Sequence, residues 1–106
     1  MEIEIEWSQL AEKQLKDIFD YYHSTANSRI ADRIVNKIIE RVSILYLNPR
    51  AGQKEELLKE FPEEYRYLVE SNYKIIYWQE NKLITISTVF DCRQNPIKMM
   101  NTDYGF

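Results

Sequence analysis

The sequence predicts an α+β fold in the order β-α-α-β-β-β, with an antiparallel helical hairpin packed on one face of a small, mainly antiparallel sheet. Three observations predict it. Residues 2–7 alternate between Glu2, Glu4, Glu6 and Ile3, Ile5, Trp7, the period of a half-buried strand. Two segments with apolar residues at helical spacing follow, separated only by residues 24–28. Three runs rich in tyrosine and β-branched residues then succeed one another, joined by Ser71-Asn72 and Asn81-Lys82, lengths that suit hairpin turns.

Each element has its own grounds. The glutamates of the first strand form a row of like charge that guards an exposed edge against unwanted pairing. Ser8 is placed to cap the first helix, whose apolar positions are Leu10, Ala11, Leu15, Ile18, Phe19 and Tyr22. Glu12, Lys16 and Asp20 succeed one another at four-residue spacing on its outer face and add modest support. Ser24, Thr25, Ala26 and Asn27 favour a turn. Asn27 or Ser28 then caps a second helix, whose Ile30, Ala31, Ile34, Val35, Ile38, Ile39, Val42 and Leu45 give the strongest periodic signal in the chain. So short a connection makes the two helices antiparallel neighbours.

Asn48-Pro49-Arg50-Ala51-Gly52 stops the second helix. Residues 53–64 read as a polar loop with a helical turn, anchored by Leu57, Leu58 and Phe61. Strands follow at about 65–70, 73–80 and 83–90, running antiparallel as a meander. The first strand can pair with any of them. Residues 91–106 read as a tail, and the whole of 1–106 as one domain.

Composition narrows the function classes. An apolar fraction of 44% is that of a globular chain, and 13% aromatic residues, eight of them tyrosine, favours large side chains in the core or at an interface. Fourteen Lys and Arg against 17 Asp and Glu leave a net charge of −3, which provides no general attraction to nucleic acid. A single cysteine makes no internal disulfide and fits a reducing compartment. The N-terminal residues resemble no signal peptide, and no apolar stretch is long enough to cross a bilayer. The expectation is a cytoplasmic protein with no membrane partner.

Arg66 and Arg93 ask for an explanation, because each is set among apolar strand residues. Either they bind an anion or partner, or each is tied to a carboxylate such as Asp91, Glu70 or the loop glutamates. Arg29, Arg33, Lys37 and Arg41 recur every four residues along the second helix, a stripe that reads first as a solvated flank with Asp32 and Glu40 beside it. The tyrosines are too many for one core, so some face outward and suit a partner. Tyr22 and Tyr77 read as core, and Cys92 as a small buried filler whose pKa the adjacent Arg93 can lower.

The strand ending in Trp7, the helix ending Asp20-Tyr21-Tyr22, and Asn48-Pro49-Arg50-Ala51-Gly52 stand in a suggestive order. Tyr65-Arg66-Tyr67-Leu68-Val69, Tyr73-Lys74-Ile75-Ile76-Tyr77 and Phe90-Asp91-Cys92-Arg93-Gln94-Asn95-Pro96 complete it. Together they resemble the RelE/ParE superfamily, the toxin halves of bacterial type II toxin–antitoxin modules of the plasmid-stabilisation type, over residues 1 to about 98. The resemblance implies a growth-inhibiting α/β toxin that is neutralised by a cognate antitoxin and needs no metal or organic cofactor. It also implies a homodimer or a toxin–antitoxin hetero-oligomer.

RelE-like members cut mRNA on the ribosome, whereas ParE-like members inhibit DNA gyrase and are not nucleases. If the chain is a ribonuclease, Arg66 and Arg93 match the family's catalytic arginines and would hold the phosphate. The base or acid expected beside them is missing: His23 lies far off, and Asn95, Pro96 and Ile97 stand where a His or Tyr would follow Arg93. Lys54 and Lys59 are outnumbered by Glu55, Glu56, Glu60, Glu63 and Glu64, which suits a ribosome binder poorly. The reading therefore leans to ParE-like action, with a RelE-like nuclease or a non-toxic binding module as alternatives. Tyr21, Tyr65, Tyr67, Arg33 and Lys37 are the candidate partner-binding residues.

Overall fold

The computed structural model describes residues 2–93. Its elements are β1 (Glu4–Trp7), α1 (Gln9–Thr25), α2 (Ser28–Ser43), β2 (Gln53–Lys54), β3 (Arg66–Glu70), β4 (Tyr73–Glu80) and β5 (Leu83–Asp91). Single 3-10 turns lie at Ile44–Tyr46 and Glu56–Leu58. The predicted α+β architecture is present, with one addition. The two-residue β2 pairs with the start of β3 inside the segment read as loop, too short to show any periodicity. The expected tail falls outside the described residues except at 91–93, where Asp91 still belongs to β5.

The sheet runs β1-β5-β4-β3-β2. Its three antiparallel pairings join β5 to β4, β4 to β3 and β3 to β2, while β1 lies parallel to β5, with Glu4 opposite Leu83 and Trp7 opposite Ile86. The first strand's position, open in the sequence, is thus beside the last. Both hairpin turns use a left-handed residue, Ser71 (φ 54°) and Asn81 (φ 56°). Asparagine tolerates that conformation readily; at the first turn the serine, not Asn72, adopts it.

The caps follow the sequence. Ser8 Oγ accepts from the Ala11 N–H at 3.0 Å, and Asn27 Oδ1 accepts from the Ile30 N–H at 2.9 Å. Ser8 also donates to the Ser87 carbonyl at 2.8 Å. Ser87 is the extra residue of a bulge, since Ile86 faces Tyr77 while Thr88 faces Ile76. Beyond the bulge β1 has ended. There Gln14 of α1 takes over, its Oε1 accepting from the Val89 N–H at 2.7 Å and from Thr88 Oγ1 at 2.9 Å.

The hairpin covers one sheet face. Ala11, Ile38, Val42 and Leu45 pack on Leu68, Ile75, Tyr77, Ile84, Ile86 and Val89. The other face carries a smaller cluster, in which Leu58, Phe61 and Tyr65 of the connecting segment lie on Ile76 and Phe90. Leu58 is fully buried while Leu57 is exposed, so of the two expected leucine anchors only Leu58 serves. Tyr77 is core as read, and Tyr22 is half-buried.

Candidate functional site

Arg66 occupies one corner of the sheet. It lies opposite Tyr77, so both side chains project to the hairpin side. The buried Tyr77 hydroxyl donates to the Pro49 carbonyl at 3.0 Å and accepts from the Gly52 N–H at 2.9 Å, pinning the turn that ends α2. Burial pushes this hydroxyl's pKa up, against the Gly52 N–H and the Arg66 and Arg50 guanidiniums. Gly52 is required sterically: a Cβ there would lie 2.7 Å from the Tyr67 carbonyl oxygen and from the Tyr77 ring. Arg66 Nη1 donates to the Gly52 carbonyl at 2.8 Å, and its side chain is only 14% exposed.

Arg66 Nη2 also lies 3.3 Å from Glu64. The same carboxylate receives Lys54 Nζ at 3.1 Å and Arg50 Nη2 at 3.8 Å. The hydrogen bond from Lys54, helped by the nearby Arg66 and Arg50 charges, holds Glu64 below the usual carboxylate range despite some desolvation.

Arg93 makes a different corner. Its Nε and Nη2 grip the two oxygens of Asp91 at 3.0 and 2.7 Å, and its own N–H donates to Oδ1 at 2.9 Å. This fork lowers the Asp91 pKa. Asp91 faces Tyr73 across the β4–β5 pair. Burial raises the Tyr73 hydroxyl pKa, and a hydrogen bond with Tyr22 raises it further. Tyr21 stacks edge-on against Tyr22, with ring centroids 5.0 Å apart.

The two arginines do not converge. Arg66 stands level with Tyr77 and Asp91 level with Tyr73, four residues along β4, or about 13 Å at the usual rise of a strand. A shared phosphate would have to reach both. Each guanidinium instead engages a carboxylate, Glu64 or Asp91.

The face away from the hairpin holds a pairing that sequence reasoning missed. Lys74 Nζ lies 3.0 Å from the buried Glu55 carboxylate and 4.3 Å above the Tyr67 ring. Glu55 Oε1 also accepts from the Leu57 N–H, which fixes the turn below it. A signal existed: Lys74 is the one charged residue within the apolar run Tyr73–Tyr77, so a buried carboxylate was owed to it. Farther along this face, Glu2, Glu4 and Glu80, against the cation Lys82, border a hollow lined also by Trp78, Leu83 and Thr85.

The predicted partner residues scatter. Arg33 and Lys37 are exposed on α2, and Arg41 of the same stripe donates to the Val69 carbonyl at 3.1 Å. Tyr21 is 58% exposed. Tyr67 is half-buried beside Lys74, and its hydroxyl lies 3.1 Å from Gln53 Oε1. Tyr65 is only 8% exposed, covered edge-on by Phe61, and so presents little surface. Leu47, 94% exposed next to exposed Tyr46, is an outward-facing apolar residue that periodicity hid, because it continues the apolar run of α2. Cys92 is also exposed rather than buried, since the chain leaves the sheet after Asp91. Partial desolvation pushes its thiol pKa up, the reverse of the lowering expected from Arg93.

A helical hairpin on a five-stranded sheet, with the first strand parallel to the last, defines a RelE/ParE-like toxin fold. Residues 5–96 match the family described as ParE toxin of type II toxin-antitoxin system, parDE, and the chain belongs to that family. The solved structure described as the chromosomal ParDE TA system from P. aeruginosa has the same fold. Its TM-score is 0.71 at 22% identity, covering 84% of this chain and 95% of that one. No curated protein matches the sequence. No helix among the described residues is long and apolar enough to cross a membrane.

Proposed function

We propose that this chain is a cytoplasmic toxin that arrests growth by inhibiting DNA gyrase without catalysis, and that a cognate antitoxin neutralises it. The observation that carries this reading is the separation of Arg66 from Arg93, each already engaged by a carboxylate. Metal-free RNA cleavage needs cations that converge on one phosphorane, with a base and an acid beside them. The acidic border of the open face also disfavours an RNA track. Family membership supports the antitoxin as partner. Tyr21, Arg33 and Lys37 on the helical hairpin, and Tyr67 on the opposite sheet face with Tyr65 beneath it, are the residues proposed to receive it.

Relaxed plasmid, gyrase and ATP, titrated with the purified chain, give the test. Supercoiling should fail as toxin is added, while mRNA in a translating extract stays intact. Codon-specific cleavage of ribosome-bound message with supercoiling untouched would replace this reading with the RelE-like one. Expression in a sensitive bacterium without growth arrest would leave only a binding module.

A further inference from the structure

Arg50, Lys54 and Arg66 converge on one carboxylate, that of Glu64, at 3.8, 3.1 and 3.3 Å. Three cations face one anion, so the group carries a local excess of positive charge within a chain whose net charge is −3. Arg66 is largely desolvated and is fixed from behind by the Gly52 carbonyl. Its guanidinium is therefore pre-oriented, with little further entropy to lose on binding an oxyanion. Glu64, in contrast, is 48% exposed and belongs to no strand or helix, so its side chain can leave without disturbing the sheet.

We infer that this is an anion cradle in which Glu64 stands in for an acidic side chain of a protein partner, which displaces it on docking. A carboxylate is what the cradle already holds. An extended nucleic acid fits less well, because its charges repeat every few ångströms along a strand. Beyond the cradle such a chain would meet Glu56 and Glu63, which share a hollow with Lys54 and Glu64. The cradle also borders β2, the outermost strand of the sheet, whose far edge pairs with no other strand among the described residues and so suits an extended segment. The inference does not depend on gyrase being the target.

The test uses the whole chain and a blocked peptide carrying one glutamate between neutral residues as probe, followed by titration calorimetry at low salt. Binding should be weak for the wild type, roughly tenfold tighter for Glu64→Gln, and lost for Arg66→Ala in the Glu64→Gln background. Glu60→Gln removes the same charge outside the cradle and should change little. Equal tightening by Glu60→Gln would assign the effect to bulk charge and overturn the inference. So would an unchanged affinity in a Glu64→Gln protein with native circular dichroism. Stronger tightening towards a short single-stranded oligonucleotide than towards the peptide would also overturn it, by moving the site to nucleic acid.

Discussion

The corners at Arg66 and Arg93 show the same residue type used in opposite ways. Arg93 binds Asp91 with good fork geometry, yet its guanidinium is 56% exposed and its partner lies only two residues back along the same segment. Arg66 makes a looser ion pair with Glu64, but its second contact, to the Gly52 carbonyl, ties β3 to the turn that ends α2. Geometry alone would rank Arg93 first. Burial and the number of elements joined reverse that order, because exposed ion pairs contribute little and buried polar atoms are costly to orphan.

The sharpest way to break the Arg66 corner is Gly52→Ala. With the Tyr67 backbone oxygen in the path of the new methyl, the turn must shift, at a cost of about 2–3 kcal/mol. Urea denaturation should show the midpoint falling by that equivalent with the slope unchanged. Arg66→Ala comes next, since it strands the Gly52 carbonyl, at about 1–3 kcal/mol. The same experiment on Arg93→Ala should move the midpoint far less, and an equal loss would erase the distinction between the corners.

Acid titration sharpens the comparison from the other side. Asp91 has a folded pKa below its ordinary 3.8, chiefly through Arg93. It thus contributes stability that is fully present above that ordinary value and is lost as pH falls through the lowered one. Arg93→Ala should flatten this acid limb, seen as a smaller fall of the thermal midpoint on acidification than in the wild type. The smallest effect concerns the first hairpin turn. Ser71→Gly relieves a left-handed serine and should gain up to about 1 kcal/mol, less the flexibility that glycine adds to the unfolded chain.

Much of the fold was legible because its long elements announce themselves. The spacing of Ile30, Ala31, Ile34, Ile38 and Val42 marks α2, and the turns at Ser71-Asn72 and Asn81-Lys82 delimit three strands. What was hidden is what periodicity does not encode. β2 has two residues, the place of β1 is set by packing across the whole chain, and the Ser87 bulge becomes visible only from the register. The site was less legible for a related reason. The Glu55–Lys74 pair joins residues 19 positions apart and the convergence on Glu64 joins residues 2, 10 and 14 positions apart, chosen from a segment in which glutamates abound. Burial, which a single sequence leaves open, decides which of those glutamates matters.

The pairing of β1 with β5 carries a consequence for synthesis. Ser8 meets Ser87 across 79 residues, so β1 finds its neighbour only after β2, β3 and β4 have been made. Contacts of such separation are slow to close, and here they cannot close until nearly all the described chain has left the ribosome. A nascent chain halted before Leu83 has its helices and β3–β4 but no β5, and therefore no seat for β1. For this member of the ParE toxin family, translation itself then delays the folded shape until β5 emerges.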